Sequence, residues 1–104
     1  MIGDNELIEI IYDSELLLEG IDKYFWRLIK LSKPEIWKDL EDSDNEYVWV
    51  VAIMGNMCIF YDDTFQKFDI ARYKLFGEIK DCQQNKRKLH NLITETARIW
   101  LKIS

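Results

Sequence analysis

Residues 47–61 read Tyr-Val-Trp-Val-Val-Ala-Ile-Met-Gly-Asn-Met-Cys-Ile-Phe-Tyr, and no other stretch limits the fold as much. β-Branched and aromatic residues fill both halves, which is strand composition. Between the halves, Gly55-Asn56 is a two-residue hairpin signal of the kind that allows a positive φ. An antiparallel hairpin with one wet face alternates apolar with polar side chains. Here strict alternation places Tyr47, Trp49, Val51 and Ile53 on one face and Val48, Val50, Ala52 and Met54 on the other, so both faces are apolar. The hairpin is therefore expected at the centre of a sheet that is covered on both sides. Phe68-Asp69-Ile70 and Gly77-Glu78-Ile79-Lys80 are shorter and more polar, and are expected as further strands at or near an edge.

The flanking segments carry helical spacing. Over residues 4–12, Asp4 can cap, Glu6 lies in the first turn, and Leu7, Ile8 and Ile11 share a face. Residues 14–31 continue in the same style, with Ser14 as a cap and Ile21, Tyr24, Phe25, Leu28 and Ile29 on one stripe. Gly20 marks a break there, because glycine inside a helix costs roughly 1 kcal/mol against alanine. Ser32 and Glu35 have capping-box spacing around Pro34, which predicts a short third helix with Ile36, Trp37 and Leu40 as its stripe. A last helix is predicted over about 86–102, capped by Asn85, with Leu89, Leu92, Ile93, Ala97 and Trp100 inward. Lys86, Arg87 and Lys88 would fill its first turn, where the helix dipole disfavours cations by about 0.3–1 kcal/mol each. That broken local rule marks a candidate basic patch. The expected fold is one α+β domain over residues 1–104. It has an antiparallel sheet of three or four strands around the 47–61 hairpin, packed by N-terminal helices and a C-terminal helix. At 104 residues and 48% apolar, such a chain can bury a core without a metal or disulfide staple.

Charge narrows the partners. The net charge is −5, split as −8 over residues 1–52 and +3 over residues 53–104. Phosphate neutralisation needs a clustered basic face, so direct nucleic-acid binding is not expected. An acidic half suits a basic protein and steers its association. The densest acidic stretch runs from Asp39 to Glu46, with Asp39, Glu41, Asp42, Asp44 and Glu46, and Asp62 and Asp63 follow the hairpin. Asp42, Asp44 and Glu46 hint at a calcium loop, but Tyr47 stands where that loop needs glycine and Ile53 where it needs a bidentate glutamate. Asp62-Asp63 between strands is explained by a turn.

Cys58 and Cys82 are 24 positions apart, form no metal or redox spacing, and are expected as free thiols in a reducing compartment. His90 is the single histidine, one position off the apolar stripe, and has no companions at zinc spacing. The tryptophans lie on apolar stripes and strands, so they are expected in the core rather than as a stacking platform. No catalytic residue, metal ligand or cofactor site is assigned. The start of the chain has neither the basic residues nor the apolar stretch of a signal peptide. No apolar run approaches the roughly 20 residues of a membrane span. A cytoplasmic protein without membrane contact is the expectation.

The order Trp49-Val-Val-Ala-Ile-Met-Gly-Asn-Met-Cys-Ile-Phe-Tyr-Asp-Asp, then Phe68-Asp-Ile, Tyr73, Gly77-x-Ile79 and a helix beginning before Leu89 resembles small bacterial immunity proteins. In particular, with the helical region Leu16–Leu31, it looks like those of contact-dependent growth inhibition systems. The resemblance implies a cytoplasmic protein that binds and blocks the toxic C-terminal domain of its own lineage's surface-delivered toxin. Many such toxins are nucleases, often acting on tRNA. It transfers no toxin-contacting residues. Those are supplied by the charge reading, in which an acidic protein occupies a basic cleft by mimicking phosphate. The candidate toxin-binding residues are Asp39, Glu41, Asp42, Asp44, Glu46, Asp62 and Asp63. The alternative is a non-catalytic adaptor or regulatory interaction module that binds through the apolar edges of its helices. A small hydrolase using His90 with a carboxylate is a further rival.

Overall fold

The apolar hairpin forms β2 (Tyr47–Met54) and β3 (Met57–Asp62) in a computed structural model that describes residues 1–41 and 46–102. Gly55 takes a φ of +60° and Asn56 does not take a positive φ, the pattern of a II′ turn. β4 (Lys67–Arg72) follows antiparallel on β3, with Phe60 opposite Asp69 and Asp62 opposite Lys67.

On the other side of β2 lies β1 (Lys30–Asp39), where the capping-box spacing predicts a helix. Its register sets Glu35 opposite Val50 and Trp37 opposite Val48, with an irregularity between Lys30 and Glu35 that accommodates Pro34. Trp37 and Asp39 turn inward, while Ile36 and Leu40, expected beside Trp37, are exposed. The reason is tertiary: a helix here would leave one ladder of β2 unpaired inside the protein, and each such backbone group is costly.

β5 (Glu78–Ile79) then pairs parallel with the end of β1. Among the described residues the sheet therefore has five strands in the order β4-β3-β2-β1-β5 and is mixed, not the antiparallel sheet of three or four strands expected. The segment after β5 returns to the far edge. Arg72 bridges Lys80, Gln83 N–H donates to the Ile70 carbonyl at 3.0 Å, and Arg87 bridges Phe68. One stretch of chain thus joins both edges, so the sheet curls and each edge ladder is paired over part of its length.

The curl has an inner face built from Trp37, Val48, Val50, Cys58, Phe60, Ala71 and Ile79. Its outer face, with Ile59, Tyr61, Phe68 and Ile70, packs on the helices through Leu7, Ile11, Phe25, Trp26, Leu92 and Ile93. A register shift between Val50 and Ala52 breaks the strict alternation expected of β2. Beyond it, Ala52 and Met54 join Val51 on the helix side, and Ile53 joins Val48 and Val50 inside.

The helices are α1 (Asp4–Glu15), α2 (Gly20–Ile29) and α3 (Leu89–Leu101). The break falls at Gly20, φ +58°, as expected, but Ser14 is a buried residue within α1 and not a cap. α2 buries Phe25 and Trp26 and leaves Ile21, Tyr24 and Leu28 exposed, so its apolar surface is wider than the core beneath it. α3 begins three residues later than the spacing predicts, with Lys88 at its N-cap and no side-chain cap. Arg87 N–H and C=O both bond Phe68, which holds residues 86–88 out of the helix and replaces the Asn85 cap. Leu89, Leu92, Ile93 and Ala97 are buried as predicted; Trp100 is 42% exposed. No described helix is long and apolar enough to cross a membrane.

Candidate functional site

The registers bring the end of β1, the start of β2, the end of β3 and the start of β4 to one end of the sheet. Of the candidate acidic residues, Asp39, Glu41, Glu46, Asp62 and Asp63 fall at or beside that end. A cavity of about 360 Å³ opens at this end, lined by Asp39, Glu41, Phe60, Asp62, Asp69, Cys82, Gln84 and Lys86.

Asp39 closes β1, is buried, and accepts the Glu41 N–H at 3.0 Å. Glu41 is exposed and accepts the Cys82 N–H at 3.0 Å. Asp62 accepts the N–H groups of Thr64 and Phe65 at 2.9 and 3.2 Å, and its other oxygen lies 3.3 Å from Lys86 Nζ. Asp63 accepts the Ile2 N–H at 3.0 Å and lies outside the cavity lining. Glu46 is exposed beside β2, and its carbonyl accepts the Asp39 N–H at 2.8 Å. Asp42 and Asp44 lie outside the described residues. The structure thus gathers Asp39, Glu41 and Asp62, while Asp63 is used to hold the start of the chain.

Asp69 is the residue that sequence reasoning missed. It lies in β4 with 0% exposure, and its Oδ1 accepts N–H groups from Ile70 at 2.8 Å and Asn85 at 3.3 Å. The signal was present in Phe68-Asp69-Ile70, an acid flanked by apolar residues in a strand. Only the register, however, shows that the acid faces inward. Cys82 reports the field of the cavity: its thiol is pushed up to about 12, first by burial and then by the negative charges of Asp39, Glu41 and Asp69.

The opposite charge collects next door. A cavity of about 700 Å³ is lined by Lys67, Lys86, Arg87, Lys88, His90, Asn91, Thr94, Glu95 and Arg98. Arg87 pairs with Glu95 at 2.6 Å, and half-buried His90 sits among the lysines and arginines. The basic patch expected from Lys86-Arg87-Lys88 is therefore a concave surface beside α3. Among the described residues, no group of three or more His, Cys, Asp and Glu is placed to hold a metal ion. No protein-family model, curated protein or solved structure matches the chain.

Proposed function

We propose that this chain is a cytoplasmic immunity protein that binds and neutralises the cognate toxin domain of a contact-dependent growth inhibition system. The toxin in this reading is a basic nuclease, and the chain acts without catalysis of its own. The observation that carries the reading is the meeting of Asp39, Glu41, Asp62 and Asp69 around one cavity at the end of the sheet. A nuclease cleft is built to attract phosphate, and a protein that presents carboxylates to it competes for the same field. The broad acidic face expected from sequence narrows, because Asp62 and Asp63 are engaged within the chain. Exposed Glu41 and Glu46, with the cavity beside them, form the contact. Co-expression with the product of the reading frame immediately upstream tests this. Co-purification and survival of the cells are expected; a toxin that neither co-purifies nor loses its toxicity overturns the reading.

The adaptor alternative is favoured by α2, where Ile21, Tyr24 and Leu28 are exposed at i, i+3 and i+7. A partner whose capture is lost with Ile21→Ser and Leu28→Ser, and kept with Glu41→Ser and Glu46→Ser, identifies that second reading.

A further inference from the structure

Asp69 Oδ1 completes the seam between β4 and the returning chain through the N–H groups of Ile70 and Asn85. Its Oδ2 is buried and has no hydrogen-bond partner among the described residues. Opposite Phe60 in the register, Asp69 shares the inner face with that ring, and both line the acidic cavity. A buried carboxylate oxygen that accepts nothing is unfavourable until a donor arrives. The surroundings favour a cationic donor. Asp39, Glu41 and Asp62 line the same space, and Lys86, the one cation among the described lining residues, already sits 3.3 Å from Asp62.

Geometry then selects the kind of cation. No three of the described carboxylates converge on one metal position, which favours a larger cation with several donors over a metal ion held by protein ligands. A guanidinium is planar, carries five N–H donors, and can bond several separated acceptors at once. It is also more weakly hydrated than an ammonium and stacks on aromatic rings, which suits the buried side chain of Phe60. About 360 Å³ accommodates the group and part of its stem, and exposed Glu41 and Gln84 mark the way in.

We propose that the cavity is a socket for the guanidinium of one arginine side chain projecting from a protein partner, with Asp69 Oδ2 as its innermost acceptor. Only the identity of the protein carrying that arginine rests on the toxin-binding reading. The test is an NMR titration of the ¹⁵N-labelled full chain. The probes are acetyl-Gly-Arg-Gly-amide, agmatine, butylamine and magnesium chloride. The amides of Ile70 and Asn85, bonded to Asp69, and of Cys82, bonded to Glu41, are the reporters.

Saturable shifts of these amides with the blocked peptide and agmatine are expected, with weaker binding of butylammonium. Asp69→Asn keeps an acceptor for both N–H groups and is expected to weaken peptide binding about tenfold or more. Should that variant not fold, Glu41→Gln at the exposed rim is expected to weaken the peptide several-fold in the same titration. The proposal is overturned by the absence of saturable shifts, or by unchanged affinity in the folded variant. It is equally overturned by butylammonium binding as tightly as agmatine, by magnesium acting at lower concentration, or by agmatine binding where the blocked peptide does not. Because the titration needs no toxin, its failure and the failure of the upstream product to form a complex are separate results.

Discussion

The indole N–H of buried Trp26 donates to Glu15 Oε2 at 2.7 Å, and the same oxygen pairs with Lys30 Nζ at 2.6 Å. Glu15→Ala leaves that donor unpaired inside the protein, and a loss of about 1–3 kcal/mol is expected in urea unfolding. Glu15→Gln keeps an acceptor and is expected to lose less. The thiols set a pH response. Burial raises the Cys58 thiol from 9.0 to about 12, and burial with the neighbouring carboxylates does the same to Cys82. Both folded values lie above the unfolded one, so the stability they contribute is fully present below about pH 9 and is lost as pH rises through about 12. Urea unfolding across that range is expected to show the decline, and Cys58→Ala to flatten it from a lower starting stability. Removing one of the charges that raise Cys82, by Glu41→Gln, is expected to speed its alkylation by iodoacetamide at neutral to mildly alkaline pH, read by intact mass.

The β2–β3 hairpin depends on one backbone conformation, the φ of +60° at Gly55. Gly55→Ala is expected to destabilise the protein by about 1–3 kcal/mol in chemical unfolding, the cost of a side chain held at a positive φ that L residues sparsely populate. A Cβ there also meets Trp100 Cη2 at 3.4 Å. Asn56→Ala, exposed and without a positive φ, is expected to stay within about 0.5 kcal/mol. This hairpin was legible because its signal is local: strand composition on both faces around a Gly-Asn turn. β1 was not legible, because Ser32, Glu35 and Trp37 fit a helix equally well until β2 needs a partner. The start of α3 was misplaced for the same reason, since Arg87 is claimed by the edge of β4. Wherever a neighbouring strand had ladder groups to satisfy, pairing overrode local spacing.

At the scale of the molecule, the acidic cavity and the basic concavity share Lys86 as a common wall, and each is fed by sequence from different elements. If the proposed toxin-binding reading holds, docking of a basic toxin at the acidic end slows about tenfold or more as salt rises from low to physiological levels. In stopped-flow measurements, Glu41→Ser with Glu46→Ser is expected to lower the low-salt rate and flatten its salt dependence. Ile21→Ser with Leu28→Ser is expected to leave both unchanged. Part of the candidate site was visible in the chain, as Asp39 and Glu41 at the head of the acidic run and Asp62 after the hairpin. Asp69 was not, since its inward direction depends on register. What the order of residues settled is the kind of material: an apolar two-faced hairpin, helices at both ends, free thiols and an uneven charge. These follow from side-chain chemistry over a few neighbouring positions. The curl of the sheet, the parallel strand, and the meeting of Asp39, Glu41, Asp62 and Asp69 were settled only on folding. They join residues up to dozens of positions apart, through backbone ladders whose partners are chosen by what must be paired once water is excluded.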